Sequence, residues 1–329
     1  MSATTLQNIR PSDSAEPRIA ILIPCHDEAR TIAKVVADFH AALPGAAIHV
    51  FDNNSTDATA QAAADAGAHV QRVTLQGKGN VLRRMFADVD ADVYVLVDGD
   101  DTYEAASAPT LVHTLVSESL DMVVGVRAPA AESAYRKGHE SGNRLLTGFL
   151  SWLFGSNCTD VLSGYRAFSR RFVKSFPVHS SGFEIETELT VHALELSMPV
   201  GEVVTPYKGR PDGSQSKLRT YRDGTRILLT MLRLFSTERP FAFYGSISVV
   251  LAAVSVLLAV PVIQTYLETG LVPRFPTAIL STGLMLMAAL SFFAGLILAT
   301  VTQGRRELKA LFYLQQGSRA GARWREPGR

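Results

Sequence analysis

The sequence feature that most restricts the fold is a pair of long stretches without charge, at 240–267 and 275–304. A helix rises about 1.5 Å per residue, so about 20 apolar residues cross the roughly 30 Å hydrocarbon core of a bilayer. A soluble helix of this length normally keeps one polar face, which neither stretch has. The pattern therefore predicts a transmembrane hairpin over 241–304, with helices at about 243–267 and 278–302, and not a pair of buried core helices.

The charges beside these stretches predict the orientation of the hairpin. Segment 217–239 carries six Lys or Arg against two acidic residues, net +4, and segment 305–329 carries seven against two, net +5. The connecting loop has only Glu268 and Arg274. Because positively charged flanks stay on the cytoplasmic side, we expect a multi-pass protein of the inner (plasma) membrane with both chain termini in the cytoplasm.

The hairpin divides the rest of the chain into four segments. Residues 1–17 are polar and lack an apolar core, which argues against a cleaved signal peptide and predicts a flexible N-terminus. A folded cytoplasmic domain is expected over 18–216. Segment 217–240 has basic residues near one helical face and Leu and Met around the other, so an amphipathic juxtamembrane helix is predicted there. Segment 305–329 is expected to be a basic cytoplasmic tail.

The folded domain begins with an alternation of strand-like and helix-like segments. Strands are predicted over 18–24, 47–52, 68–73, 93–98 and 122–127, and helices over about 29–42, 55–67 and 77–89. This alternation predicts a mostly parallel sheet covered by helices. The polar segments PCHDE, DNNSTD, DGDD and GVR lie at the ends of four of the strands. Ligands of such sheets bind at the carboxyl ends of the strands, so these segments are expected to form one site.

The segment DGDD places Asp98, Asp100 and Asp101 directly after an apolar run, where clustered carboxylates need a positive partner. Mg²⁺ and Mn²⁺ bind a few carboxylates, with water and substrate phosphates completing the shell. Asp98 and Asp100 are therefore the expected metal ligands. The sequence has no G-x-x-x-x-G-K-[ST] segment, which excludes a P-loop, and no G-x-G-x-x-G after the first strand, which argues against a dinucleotide site.

Eight segments of the chain together resemble a known family. They are ILIPCHDEARTI, FDNNSTDAT, GKGN, VLVDGDD, GVR, DVLSGYRAF, GFEIETEL and RPDGSQSKL. In this order they resemble family 2 glycosyltransferases of GT-A fold, and more closely the branch of dolichyl-phosphate mannose synthases and bacterial polyprenyl-phosphate glycosyltransferases. The resemblance covers about residues 18–220. It implies an α/β, Rossmann-like GT-A domain, with a mostly parallel sheet and helices on both faces, followed by a C-terminal two-helix transmembrane hairpin.

The resemblance implies a nucleotide-sugar site. The residues expected to bind a UDP- or GDP-sugar are Pro24, Glu28, Asp52, Asn53, Lys78 and Asp98. Asn53 stands where the family often has a second aspartate, which leaves the preferred base open. Lys78, between two glycines, is expected near the donor diphosphate. Asp98 and Asp100 are expected to hold Mg²⁺ or Mn²⁺ with that diphosphate, and Asp101 has no assigned role.

The resemblance also implies a phosphate-binding acceptor site. The matching residues are Arg127, Lys137, Ser141, Arg210 and Lys217, with Arg136 as an alternative to Lys137. A phosphate monoester is already largely anionic at neutral pH, so it needs guidance and charge screening more than a strong base. A sugar hydroxyl would need a base, which Asp160, Glu184 or Glu186 can supply. The expected catalytic residues are Asp100, Asp160 and Arg127, although Glu184, Glu186 and Glu188 also fit the acidic start of a helix.

The expected function is inverting transfer of a single sugar from a nucleotide sugar to a polyprenyl phosphate of undecaprenyl or dolichyl type, at the cytoplasmic membrane face. One alternative is a processive polysaccharide synthase, but Ala320 stands at the Gln position of a Q-x-x-R-W motif and one hairpin cannot enclose a channel. Another is an inactive nucleotide-sugar-binding membrane scaffold. No nucleic-acid partner is expected. Gly283 and Gly295 allow helix packing between copies, which leaves a homo-oligomer open.

Overall fold

A computed structural model describes residues 17–129, 145, 147–153, 159–178, 184–208 and 220–316. The chain divides into two compact units. The first contains Met1–Thr220 and Lys309–Arg329, and the second contains Tyr221–Leu308. The C-terminal residues from Lys309 onward thus group with the first unit, which the charge pattern of the sequence does not predict.

The first unit is built on one seven-stranded sheet within the described residues. The strands are Ile19–Cys25 (β1), Ala47–Asp52 (β2), His69–Arg72 (β3), Val93–Leu96 (β4), Met122–Pro129 (β5), Arg166–Ser169 (β6) and Val200–Tyr207 (β7). Their order is β3-β2-β1-β4-β6-β5-β7. Strand β6 runs antiparallel to both neighbours, and the other strand pairs are parallel. The predicted mostly parallel sheet is therefore confirmed.

Helices connect these strands and continue beyond them. They are Ile32–Ala42 (α1), Thr59–Asp65 (α2), Lys78–Asp88 (α3), Ala108–Ser117 (α4), Arg170–Ser175 (α5), Ile185–Glu195 (α6), Thr220–Glu238 (α7), Pro240–Thr269 (α8) and Phe275–Gln315 (α9). Residues 147–153 are also helical. Helix α1 begins at Ile32 and α2 at Thr59, both later than predicted, because the residues before them form hydrogen bonds between two loops.

The alternation of side chains along β1 explains why helices cover both faces of the sheet. Successive residues of a strand point to opposite faces. Ile21 lies in a buried cluster with apolar residues of α1 and α4. Leu22 lies in a second cluster with apolar residues of α3, α5 and α6. Both side chains are fully buried, so each face has its own core, and the predicted helices on both faces are confirmed.

The second unit contains the two long apolar helices. By length and composition, α8 and α9 are both long and apolar enough to cross a membrane. They run as a hairpin in which Ser248 Oγ donates to the Ala288 carbonyl at 2.8 Å and Ser255 Oγ donates to the Ser281 carbonyl at 2.7 Å. Helix α8 ends at Thr269 and is C-capped by Gly270, whose φ of 66° is left-handed. The predicted two-helix hairpin is confirmed, and its orientation in the membrane stays a prediction.

The two glycines considered for packing between copies have different surroundings. A Cβ atom on Gly295 would lie 3.0 Å from Tyr244 Cβ, so this glycine allows α8 and α9 of the same chain to approach closely. A Cβ atom on Gly283 would have no described atom within 4 Å. Gly295 is therefore used within the hairpin, and a homo-oligomer stays a prediction.

Candidate active site

The carboxyl ends of the parallel strands bring the predicted polar segments to one edge of the sheet. Pro24 pairs with Phe51, and Cys25 with Asp52, at the ends of β1 and β2. Asp98 follows β4 two residues after its end. Arg127 lies near the end of β5, which is parallel to β4 because both are antiparallel to β6. The architecture therefore brings together residues that are far apart in the sequence.

Two loops at this edge hold one another through side chain to backbone hydrogen bonds. The Asp27 N–H donates to Ser55 Oγ at 2.9 Å, and the Thr56 N–H donates to Asp27 Oδ1 at 2.7 Å. The Glu28 N–H donates to Thr59 Oγ1 at 2.8 Å. Asp27 has a left-handed φ of 53°, which a short polar side chain tolerates better than most residues. These bonds fix the backbone around Pro24, Glu28 and Asp52, which the sequence predicts to contact the nucleotide.

Asn53 uses its whole side-chain amide to hold the loop before α3. Its Nδ2 donates to the carbonyls of Val73, at 3.0 Å, and Leu75, at 2.9 Å, and its Oδ1 accepts from the Gly77 N–H at 2.7 Å. An aspartate could accept the last bond but could not donate the first two. The Asn53 amide therefore fixes the entry to the helix that begins with Lys78.

Lys78 joins two carboxylates that lie far apart in the sequence. Its Nζ is 2.6 Å from Asp98 Oδ1 and 2.5 Å from Glu186 Oε1. The Lys78 and Glu186 side chains are 11% and 8% exposed, whereas that of Asp98 is 29% exposed. Burial alone would lower the pKa of Lys78, but attraction by Asp98 and Glu186 outweighs it and raises the pKa. The ammonium group therefore stays charged.

The other two aspartates of the segment DGDD have different surroundings. Asp100 is buried, and its Oδ1 accepts from the Thr102 hydroxyl at 2.6 Å and the Thr102 N–H at 3.3 Å. Asp101 has a left-handed φ of 58°, and its carboxylate accepts from Lys34 Nζ of α1 at 2.8 Å. Asp101 thus forms the turn and ties it to α1. This contact gives a structural role to a residue that has none from the sequence.

Gly164 closes the backbone over Asp98. A Cβ atom at Gly164 would lie 2.4 Å from Asp98 Oδ2, a distance at which one of the two must move. The Gly164 N–H donates to the Tyr103 hydroxyl at 2.9 Å. Because only a hydrogen fits on the Gly164 Cα, the segment DVLSGYR can pass directly against the carboxylate.

Arg127 and Asp160 form a second charged pair at this edge. Arg127 Nε donates to Asp160 Oδ2 at 2.8 Å and Arg127 Nη2 donates to Oδ1 at 2.8 Å, the bidentate geometry that guanidinium and carboxylate groups favour. Asp160 is buried. The preceding residue is also held, because the Thr159 N–H and hydroxyl donate to the two carboxylate oxygens of Glu202, at 2.6 and 2.7 Å.

Tyr103 connects this pair with the aspartates. Its ring lies 5.2 Å from the ring of Tyr207, over which the Arg127 guanidinium lies at 5.5 Å. Its hydroxyl accepts from Gly164, the residue that packs on Asp98. Burial raises the pKa of Tyr103, so the phenol stays protonated at neutral pH. The carboxylates after β4 and the Arg127–Asp160 pair therefore belong to one continuous site.

The structure describes part of the predicted site. It brings together Pro24, Glu28, Asp52, Asn53, Lys78, Asp98, Asp100, Arg127 and Asp160. The predicted phosphate-binding residues Lys137, Ser141, Arg210 and Lys217, with the alternative Arg136, lie outside the described residues. Glu184 is the N-cap of α6, and Glu186 and Glu188 lie in its first turn, as expected for acidic residues at a helix start.

One residue that supports the site has no role predicted from the sequence. Arg166 is fully buried and donates to the carbonyls of Ser163, at 2.9 Å, and Val161, at 2.5 Å, and to Thr190 Oγ1 at 2.8 Å. It holds the loop that contains Asp160. The segment DVLSGYR contains Arg166, but nothing in that segment distinguishes a buried guanidinium from a surface charge.

The carboxylates fit a divalent cation whose coordination shell is completed by substrate. No group of three or more His, Cys, Asp or Glu side chains is arranged for a metal ion within the described residues. Asp98 already holds one cationic group, the Lys78 ammonium. Mg²⁺ commonly takes one or two protein carboxylates and fills its shell with water and substrate phosphates. Asp98 and Asp100 match this number of carboxylates, and their role as metal ligands stays a prediction.

Comparison with known proteins assigns the family. The model described as "Glycosyl transferase family 2" matches residues 20–176. Glycosyltransferase AglJ of Haloferax volcanii is 32% identical over 299 residues, which cover 90% of this chain and 98% of that protein. The chain therefore belongs to glycosyl transferase family 2 and is a glycosyltransferase, as the sequence predicts.

Two further proteins are similar to this chain in sequence or in fold. The undecaprenyl-phosphate mannosyltransferase of Micrococcus luteus is 25% identical over 222 residues, covering 61% of this chain and 87% of that protein. Glucosyl-3-phosphoglycerate synthase from Mycobacterium tuberculosis, crystallised with Mn²⁺, UDP and glucosyl-3-phosphoglycerate, is similar in structure with a TM-score of 0.54. It is 24% identical, and the match covers 67% of this chain and 79% of that chain. The predicted GT-A fold is confirmed.

Proposed function

We propose that the protein transfers one sugar, with inversion, from a UDP- or GDP-sugar to a polyprenyl phosphate at the cytoplasmic face of the membrane. The observation that carries the proposal is the convergence at one sheet edge of two charged groups. One consists of Asp98, Asp100 and Lys78, and the other is the Arg127–Asp160 pair. A reaction between two anionic substrates needs both groups, one for the donor diphosphate and one for the acceptor phosphate.

On the donor side, Asp98 and Asp100 are proposed to hold Mg²⁺ or Mn²⁺. The bound cation would neutralise the leaving nucleoside diphosphate. Lys78 lies beside Asp98 and supplies a second positive charge, while the loops around Glu28 and Asp52 are held for the nucleoside by their hydrogen bonds. The synthase from M. tuberculosis, crystallised with Mn²⁺ and UDP, supports this assignment.

On the acceptor side, Arg127 is proposed to guide the phosphate that attacks the sugar. Asp160 accepts from Arg127 with both carboxylate oxygens and is buried, so we assign it the role of orienting the guanidinium. A phosphate monoester carries about −1.5 to −2 charge at neutral pH and needs no strong base. Lys137, Ser141, Arg210 and Lys217 are proposed to complete the phosphate site.

A lipid acceptor is supported by two independent observations. The part of the chain that the structure describes has two helices long and apolar enough to cross a membrane. One relative is named for undecaprenyl phosphate. A polyprenyl phosphate combines the two properties that these features match, an anionic head group and a tail that stays in the bilayer.

Radiolabelled donors test the proposal directly. Full-length protein in detergent would be incubated with UDP- or GDP-sugars, Mg²⁺ or Mn²⁺, and undecaprenyl phosphate, and label extracted into organic solvent would be counted. We expect lipid-linked label that depends on the added lipid, and a fall of about 100-fold or more for Asp100→Ala. The exposed carboxylate variant Asp38→Asn is the matched control. Full turnover by Asp100→Ala, or label found only in a long polymer, would contradict the proposal.

A further inference from the structure

We propose that the Lys78 ammonium group occupies, beside Asp98, the position that a divalent cation takes when it binds. Glu186 is then the positioning residue that keeps Lys78 in the site after the divalent cation has displaced it from Asp98. The inference rests on the proposed function, because it assumes that Asp98 and Asp100 are the metal ligands. It assigns a role to Glu186, which from the sequence can be either a general base or an acidic residue at the start of a helix.

The ammonium group of Lys78 lies between two carboxylates. Lys78 Nζ is shared between Asp98 Oδ1, at 2.6 Å, and Glu186 Oε1, at 2.5 Å. A lysine ammonium group has three donors, so it can make both bonds at once. One positive charge therefore lies between two carboxylates, and the three groups carry a net charge of −1. This excess negative charge favours the entry of a further cation.

The carboxylates of Asp98 and Glu186 differ in exposure. The Asp98 side chain is 29% exposed, whereas the Glu186 side chain is 8% exposed. Asp98 is therefore the carboxylate that an incoming ion can reach, and Glu186 is enclosed. Two cations that share Asp98 repel each other. Lys78 would then keep its bond with Glu186 and point its remaining N–H groups toward the diphosphate of the nucleotide sugar.

Lys78 and Glu186 lie on two separate, ordered helices. Lys78 is the first residue of α3, after Gly77, whose φ of 125° only glycine adopts readily. Glu186 lies in the first turn of α6, where its carbonyl accepts from Thr190 Oγ1 at 3.2 Å. Because both backbones are fixed, movement of the ammonium group needs only side-chain rotation.

Mn²⁺ binding without donor tests the inference through a readout other than activity. Full-length protein in detergent would be titrated with Mn²⁺ and the free ion measured by electron paramagnetic resonance. We expect Lys78→Met to bind Mn²⁺ about tenfold more tightly, because it removes the competing cation. We expect Glu186→Gln to bind Mn²⁺ severalfold more weakly. Of the two carboxylates, only Asp98 then remains as a partner for Lys78, so the ammonium group competes more strongly with the ion.

The double variant separates an action through Lys78 from a direct effect of charge. If Glu186 acts through Lys78, Glu186→Gln should change Mn²⁺ affinity by less than about twofold in the Lys78→Met background. An equal loss in both backgrounds would show that Glu186 is a ligand or a plain charge, and would overturn the inference. If Lys78→Met fails to fold, the double variant, which removes one carboxylate together with the lysine, is compared with Glu186→Gln instead. The inference expects the double variant to bind Mn²⁺ more tightly than Glu186→Gln, and equal or weaker binding would overturn it.

Inorganic pyrophosphate provides a second measurement with the opposite sign. Lys78→Met should bind the Mn²⁺–pyrophosphate complex about tenfold more weakly than the wild type, although it binds Mn²⁺ alone more tightly. General damage to the site would weaken the binding of Mn²⁺ alone as well as that of the Mn²⁺–pyrophosphate complex. If Asp100→Ala abolishes Mn²⁺ binding while Lys78→Met leaves it unchanged, this inference is wrong and the metal site stands. If Asp100→Ala also leaves binding unchanged, the proposed metal site itself is wrong.

Discussion

Two carboxylates at opposite edges of the sheet, Asp121 and Asp98, differ in burial and in the kind of partner they have. Asp121, before β5, is fully buried; it accepts from Ser169 Oγ at 2.6 Å and from the Tyr313 hydroxyl at 2.7 Å, and pairs with Arg171 at 3.1 Å. Asp98, after β4, keeps 29% exposure and pairs with Lys78. A carboxylate held by several fixed partners stabilises the fold, whereas one held by a cation at an open edge can exchange that partner.

Helix α6 connects these two regions within the α/β unit. Its first turn carries Glu186, which holds Lys78 in the site. Its last residue, Glu195, is almost fully buried and accepts from Lys309 Nζ at 2.6 Å. Lys309 and Tyr313, near the end of α9, therefore supply partners for buried acids at the edge that carries no predicted substrate residue. Substitution of the buried acids at that edge should therefore affect stability, and substitution of the carboxylates at the candidate site should affect turnover.

The largest expected effect is on stability, from Asp121→Asn. Removing one partner of a buried ion pair leaves the others uncompensated and costs about 3–5 kcal/mol, which corresponds to a fall in the melting temperature of about 10 °C for a chain of this size. Thermal unfolding followed by circular dichroism in detergent would measure it. Asp38→Asn, which changes an exposed carboxylate, should leave the melting temperature within about 2 °C. An unchanged melting temperature for Asp121→Asn would contradict the structural role.

Asp98→Asn should lower turnover and leave stability nearly unchanged, the reverse of Asp121→Asn. Turnover should fall about 100-fold or more, because a neutral amide is a poor ligand for a hard cation. The melting temperature should change little, since Lys78 keeps its bond with Glu186. Initial rates with radiolabelled donor and the same thermal scan would be compared. If Asp98→Asn lost stability as Asp121→Asn is expected to, the distinction between the two edges would be wrong.

The residues at the strand ends could be predicted from the sequence because they follow local patterns. The run 93–97 and the aspartates after it show a buried strand and a charged turn without any knowledge of distant residues. Parallel strands then place Asp52 and Asp98 at one edge by topology alone. The edge of the sheet that carries the candidate site can therefore be predicted from the sequence alone.

The partners of these residues could not be predicted, because they come from distant parts of the chain. Glu186 lies 108 residues after Lys78, and Tyr313 lies 192 residues after Asp121. Strand β6 has four residues, too short to show a period, and it runs antiparallel. A charge pattern gives the number of acids and bases in a segment but not which of them become buried together.

Stability at acidic pH provides a smaller test of the edge opposite the active site. Burial, with a contribution from Lys309, lowers the pKa of His192 to about 3. Its Nε2 lies 3.2 Å from Ser175 Oγ. Because the pKa in the folded state is below the unfolded value of about 6.5, the unfolded chain binds more protons. Stability should therefore fall as the pH drops from about 6.5 to about 3, by about 2 kcal/mol at pH 5.

The control for this test is His192→Gln, which has no imidazole to protonate. Melting temperatures of the wild type and the variant would be measured between pH 7.5 and pH 5. The difference between them should shrink or reverse toward pH 5, because only the wild type loses the contribution from His192. Parallel curves would show that His192 is not held neutral in the folded protein.

The smallest expected effect comes from Gly164→Ala, which acts on Asp98 without changing any charge. The added Cβ atom would lie 2.4 Å from Asp98 Oδ2, so the carboxylate or the loop must shift by a few tenths of an ångström or more. We expect turnover to fall about tenfold, since small displacements of catalytic groups are costly. Gly45→Ala, whose Cβ atom would meet no atom within 4 Å, is the matched control. Equal rates for the two variants would show that Asp98 tolerates displacement and that turnover does not depend on the position of this carboxylate.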